Sequence, residues 1–160
     1  MDTFRTFYDF SELKDYIKSK GPGLSIGLVP TMGALHKGHL SLVKKAAMEN
    51  DLVVVTIFVN PKQFNSRVDL EKYPRTIEND IVILSEHKNL LICIPDENAV
   101  YPKNDPYTSI ELGSLNEVLE GKYRPGHFNG VAQVVHNFFQ FILLFGQKQI
   151  QSYIYSIYKN

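Results

Sequence analysis

The sequence predicts an α/β fold in which helices cover both faces of a parallel sheet. Three features carry that expectation. Residues 52–59 are an almost uninterrupted run of Val, Ile and Phe, residues 24–29 form a shorter apolar run bounded by turn formers, and a glycine-bearing loop followed by helical periodicity lies between them. A strand with little polar alternation is one buried on both faces, as crossover helices require. Strand, loop, helix and strand in that order make a βαβ unit, whose crossover is nearly always right-handed.

The first expected element is a helix over residues 9–20, because Asp9 and Glu12 resemble a capping pair and Phe10, Leu13 and Ile17 share one face. Gly21-Pro22-Gly23 ends it. After the strand at 24–29 comes a loop at 30–38, and then a helical pattern over 38–50 with Leu40, Val43 and Ala47 on one face. That helix is expected to start close to His39. Asn60-Pro61 stops the second strand. Residues 76–87 form another helix with Ile77, Ile81 and Leu84 inward, and the strand at 90–94 completes a second crossover. Ser114 with Glu117 marks a capping box for a short helix ending at Gly121, and 130–142 reads as a longer helix rich in Val and Phe. One domain is expected over 1–142, with a divergent tail over 143–160.

Composition excludes several function classes. Among 160 residues, seventeen basic side chains balance seventeen acidic ones, which gives no electrostatic case for binding nucleic acid or an anionic membrane. The longest apolar-rich stretch, 138–145, is interrupted by Gln140 and falls short of the roughly 20 residues that span a bilayer. The single cysteine, Cys93, lies in an apolar run, so no internal disulfide is expected and a reducing compartment suits the chain. The first residues lack the basic start and apolar core of a secretory signal. A cytoplasmic protein is expected.

The loop Pro30-Thr31-Met32-Gly33-Ala34-Leu35-His36-Lys37-Gly38-His39 lies where open parallel sheets bind ligands, beyond the carboxyl end of a strand and at the start of a helix. Gly33 and Gly38 permit close backbone approach, and unpaired N–H groups at the helix start favour a phosphate. His36 and His39 can both point at such an anion and donate hydrogen bonds to oxygens whose charge rises in a transition state. Two other readings stay open here. The histidines are polar loop residues or zinc ligands, although no Cys, Asp or third His stands nearby to complete a metal site. The loop does not match the usual phosphate-loop pattern, and Gly21-Pro22-Gly23 precedes the strand and so forms no dinucleotide fingerprint.

The string at 30–39, continued by Leu40-Ser41-Leu42-Val43, resembles the HxGH region of pantothenate synthetases, members of the wider nucleotidylyltransferase superfamily. Ile57-Phe58-Val59-Asn60-Pro61-Lys62-Gln63-Phe64, Tyr73-Pro74-Arg75-Thr76, Tyr101-Pro102 and the segment from Glu120 through Arg124-Pro125-Gly126-His127-Phe128 to Val131 follow in the family's order. The resemblance implies a Rossmann-like sheet and an ATP site formed by Met32, Gly33, Ala34, Leu35, His36, Lys37, Gly38 and His39, joined by Gly146 and Lys148. His36, His39 and Lys148 would be catalytic, with His39 matching the family's proton donor. Gln63 would bind pantoate and help to place β-alanine. Asp80 would match an acidic residue near Mg2+, with a solvent-facing helix charge as the alternative, since Asn79 occupies the neighbouring acidic position. His127 is read as loop-ordering. The implied partners are pantoate, β-alanine and a second copy of the chain in a homodimer.

The match departs from the family after Val135. The Pro-Asp turn is missing, Gln149 stands for an acidic residue, and Ser152 stands for a pantoate-binding glutamine. The family's Ser-Ser-Arg loop and smaller C-terminal domain have no counterpart in these residues. A shortened copy whose activity is in question is therefore expected, explained either by a frameshift after Val135 in an AT-rich gene or by an authentic but divergent terminal helix. The alternative functions are a non-catalytic nucleotide- or pantoate-binding remnant that self-associates, and a nucleotidylyltransferase with another acceptor.

Overall fold

Phe4–Phe7 (β1), Ser25–Thr31 (β2), Leu52–Ile57 (β3), Leu90–Cys93 (β4) and Gln149–Ser152 (β5) build one sheet in the order β1-β4-β3-β2-β5, and every pairing is parallel. The computed structural model describes residues 4–104, 113, 123–143 and 149–152. The helices are Phe10–Ser19 (α1), Lys37–Glu49 (α2), Arg67–Lys72 (α3), Ile77–Leu84 (α4), Glu97–Val100 (α5) and His127–Leu143 (α6), with a short 3-10 turn at Pro61–Gln63.

All six residues of β3 are buried, as its apolar composition requires. Successive side chains on a strand point to opposite faces, so β3 divides between two cores. Leu52 and Val54 join Leu13 and Ile17 of α1 and Phe138 and Ile142 of α6, while Val53, Val55 and Ile57 join Val43 and Ala46 of α2 and Leu84 of α4. Helices thus cover both faces, as the sequence predicts. Asp9 caps α1 by accepting hydrogen bonds from the Ser11 and Glu12 amides. The start of α2 falls before the expected place because His36 caps it.

Several elements escape the sequence patterns. β1 lies on the edge beside β4, and β5 pairs with β2 from Ser25↔Gln149 to Leu28↔Ser152. The sheet therefore takes in residues that the expected division at 142 sets apart as a tail. The expected short helix of Ser114 and Glu117 lies outside the described residues, as do Gly146 and Lys148.

From β2 the chain builds outward through β3 and β4 on one side, and β5 lies on the other. The strand order reverses at β2. The loop after β2 is consequently at the point where doubly wound sheets open a crevice beyond their carboxyl ends.

Candidate functional site: the loop after β2

The loop begins with two linked hydrogen bonds. The Thr31 hydroxyl donates to the Thr56 carbonyl at 2.8 Å, and the Gly33 amide donates to the Thr31 hydroxyl at 3.2 Å. The chain then turns through positive φ at Gly33 (79°) and Ala34 (49°). Glycine is favoured at the first of these on two counts: its φ, and the space, since a Cβ would lie 3.1 Å from Asp80 Oδ2 and 3.2 Å from Ile57 Cγ2. Next, the Ala34 amide donates to Asp80 Oδ2 at 3.0 Å and the Leu35 amide to Asp80 Oδ1 at 2.8 Å.

The two histidines cap α2 reciprocally. His36 Nδ1 accepts from the Gly38 amide at 3.1 Å, and His39 Nδ1 accepts from the His36 amide at 3.3 Å. This is the capping-box arrangement with imidazoles in place of hydroxyl and carboxylate. An accepting Nδ1 places the proton of a neutral ring on Nε2, so both rings are held as Nε2–H tautomers. Their centroids lie 4.1 Å apart with planes tilted by 49°. His36 is exposed and His39 is buried. Burial, reinforced by the neighbouring His36 and only partly opposed by Asp80, pushes the His39 pKa down to about 4. At neutral pH, His39 is an uncharged hydrogen-bond donor.

Two expectations need correction. The sequence implies loop amides open to a phosphate, yet Gly33, Ala34, Leu35, His36 and Gly38 each donate to a side chain of the protein. Asp80, in turn, is not solvent-facing. It is fully buried, and its carboxylate accepts the Ala34 and Leu35 amides and the Thr76 hydroxyl. Among the described residues, no three His, Cys, Asp or Glu side chains are grouped to hold a metal ion.

A crevice of about 200 Å³ opens at the carboxyl ends of β2, β3 and β4, with Met32, Gly33, Phe58, Arg75, Thr76 and Asp80 in its wall. His36, His39 and Gln63 do not line it.

Gln63 is placed by a second network. Asn60, wholly buried, donates through Nδ2 to Gln63 Oε1 at 2.8 Å and to the Gly130 carbonyl at 3.1 Å. Its Oδ1 accepts the Tyr101 hydroxyl at 2.8 Å. The Gln63 carbonyl accepts from Arg124 at 3.1 Å, and His127 Nδ1 lies 3.0 Å from it. A carbonyl can only accept, so His127 donates there, in keeping with its expected ordering role. With Oε1 engaged by Asn60, the Nε2 amide is the donor end that Gln63 presents. Lys37 lies on the first turn of α2 and is exposed.

A family model for pantoate-beta-alanine ligase matches residues 5–156. The chain belongs to the pantoate-beta-alanine ligase family. It is 47% identical over 156 residues to the pantothenate synthetase of Porphyromonas gingivalis, covering 94% of this chain and 54% of that protein. The Aquifex aeolicus pantothenate synthetase is 43% identical over 150 residues, covering 91% and 53%. The chain thus spans about half the length of the curated relatives it matches. Among solved structures, pantoate-beta-alanine ligase from Francisella tularensis, complexed with Beta-gamma ATP and beta-alanine, aligns with a TM-score of 0.78 at 34% identity, covering 96% of this chain and 68% of that one. Pantothenate synthetase from Thermus thermophilus aligns with a TM-score of 0.74 at 34% identity over 95% and 62%.

Within this ligase-family frame, the residues least visible in the sequence are those that hold others. Asn60 reads as a strand stop, Thr76 as a helix start and Tyr101 as part of a motif. A polar residue immediately after a buried strand, at the sheet's ligand-binding end, is the signal that points to Asn60.

Proposed function

We propose that this chain carries the adenylating site of a pantoate–β-alanine ligase. In the first step a pantoate carboxylate oxygen attacks the α-phosphorus of ATP, the bond to the β,γ-phosphates breaks, and pantoyl adenylate and pyrophosphate form. In the second step the amine of β-alanine attacks the acyl carbon, loses a proton, and expels AMP to give pantothenate. Adenylation is needed because a carboxylate has no adequate leaving group.

The observation that carries this function is the reciprocal cap of His36 and His39. It fixes two Nε2–H donors at the start of α2 without requiring either ring to be charged. Donors held in place before the reaction stabilise developing phosphoryl charge without reorganising, and loss of one such donor costs about 10²–10³ in rate. The proton-donor role implied for His39 is accordingly hydrogen-bond donation from a neutral ring. Gln63, with its amide oxygen held by Asn60, would offer Nε2–H to pantoate. Support for ATP and β-alanine comes from the Francisella tularensis relative, described as complexed with Beta-gamma ATP and beta-alanine.

The direct test is AMP formation from ATP, pantoate and β-alanine by the purified chain, beside His39→Ala, with calorimetric titration of ATP. Turnover that needs all three substrates and drops about 10²–10³-fold in the variant would show ligation by this chain. ATP binding without turnover would restrict the chain to nucleotide binding. No ATP binding by the wild type would end the proposal.

A further inference from the structure

Asp80 is the most deeply buried charged side chain near the loop, and nothing in the adenylation chemistry above uses it. Its surroundings are built around it. The residue lies in the first turn of α4, where the helix dipole favours a carboxylate. Thr76, at the N-cap position of that helix, makes no side-chain cap; its hydroxyl instead donates to Asp80 Oδ2 at 3.2 Å. The remaining donors come from far along the chain: Ala34 and Leu35, in the turn that leads to His36. Successive backbone amides next to a residue in the left-handed region form a concavity that binds anions. Here that concavity is already filled by the protein's own carboxylate.

We propose that Asp80 is a positioning residue, an internal anion that locks residues 33–35 and thereby sets the His36 and His39 rings for the nucleotide, and that it is not a ligand for a metal accompanying ATP. The inference rests on the adenylation site proposed above for its functional part, and on hydrogen bonding alone for its structural part. Gly33 fits the same logic, because any side chain there would press on Asp80 Oδ2. The carboxylate has one protein donor on Oδ1 and two on Oδ2, and it has no exposed surface although it stands in the wall of the crevice. A cation in the crevice would have to compete for oxygens that these three donors already hold.

Amide hydrogen exchange followed by NMR tests the anchor in the unliganded chain. In the wild type, the Ala34 and Leu35 amides should exchange as slowly as sheet amides despite lying in a loop; rapid exchange there would overturn the proposal without any variant. In Asp80→Asn, the new amide group must turn a donor toward a donor. A hydrogen bond to a charged group carries a factor of about ten or more, so exchange at Ala34 and Leu35 should accelerate about tenfold while Val54 and Val55 keep wild-type rates. The dissociation constant for ATP should rise about tenfold. Unchanged exchange in the variant would overturn the anchor. Manganese(II) chloride without nucleotide supplies the metal arm. Selective broadening of the Ala34, Leu35 and Asp80 resonances in the wild type, absent in Asp80→Asn, would make Asp80 a metal ligand and sink the proposal; equal spectra support it. If the wild type binds no ATP, the nucleotide assignment fails, whereas the exchange rates still report the anchor.

Discussion

His39 occupies the third position of α2 with its ring buried and its Nδ1 committed to the His36 amide. This gives the residue a pH signature. Its folded pKa of about 4 lies below the ordinary value of 6.5, so between these values the unfolded chain binds a proton that the folded chain excludes. The associated stability is present above pH 6.5 and is lost as pH falls toward about 4. Glutamine is a usual partner at this position of a capping box, so His39→Gln should keep the cap and remove the titration. Urea midpoints measured between about pH 7 and about pH 4.5 should decline less steeply in the variant. Equal slopes would show that the acid sensitivity arises elsewhere. At this scale the sequence reveals the candidate catalytic side chains better than their supports. His36 and His39 stand out by type and spacing, but the anchoring contacts of Asp80 are not legible, because its backbone donors lie 45 and 46 positions away.

Among the elements, α6 and the Pro61–Gln63 turn are in unusually close contact. A Cβ at Gly130 would sit 2.3 Å from the Lys62 carbonyl oxygen and 2.7 Å from its carbon. Glycine inside a helix ordinarily costs about 1 kcal/mol relative to alanine. At Gly130 that gain is outweighed, since backbone atoms cannot yield as a flexible side chain would, and overpacking costs about 1–3 kcal/mol or more. Gly130→Ala should therefore destabilise the chain in urea titration and disturb the resonances of Lys62 and Gln63. A stabilised variant would contradict the contact. The buried strands β2, β3 and β4 are legible because apolar runs bounded by turns have few alternatives. β1 and β5 are not. Each has four residues at an edge of the sheet, and Gln149-Ile150-Gln151-Ser152 lacks the β-branched and aromatic density that marks a strand.

For the molecule as a whole, stability depends on cores that run along both faces of one sheet. Phe138 of α6 is 1% exposed, and its ring lies 6.1 Å from that of Phe10 on α1 and 6.3 Å from that of Phe58 beyond β3. Phe138→Ala should cost about 3–5 kcal/mol, a large share of the roughly 5–15 kcal/mol typical of a folded protein. Thermal unfolding followed by circular dichroism should show the loss as a marked fall in Tm. The parallel α/β class is legible because burial on both faces removes polar alternation from the central strands. The reversal of strand order at β2 is less accessible, because it depends on where β5 pairs. Gly130 brings α6 against the backbone of Lys62, and Arg124 and His127 grip the carbonyl of Gln63. The turn that carries Gln63 is consequently tied to the helix through backbone atoms, so displacing α6 along the sheet would have to break the Asn60–Gly130 hydrogen bond or shift the Lys62 backbone with it.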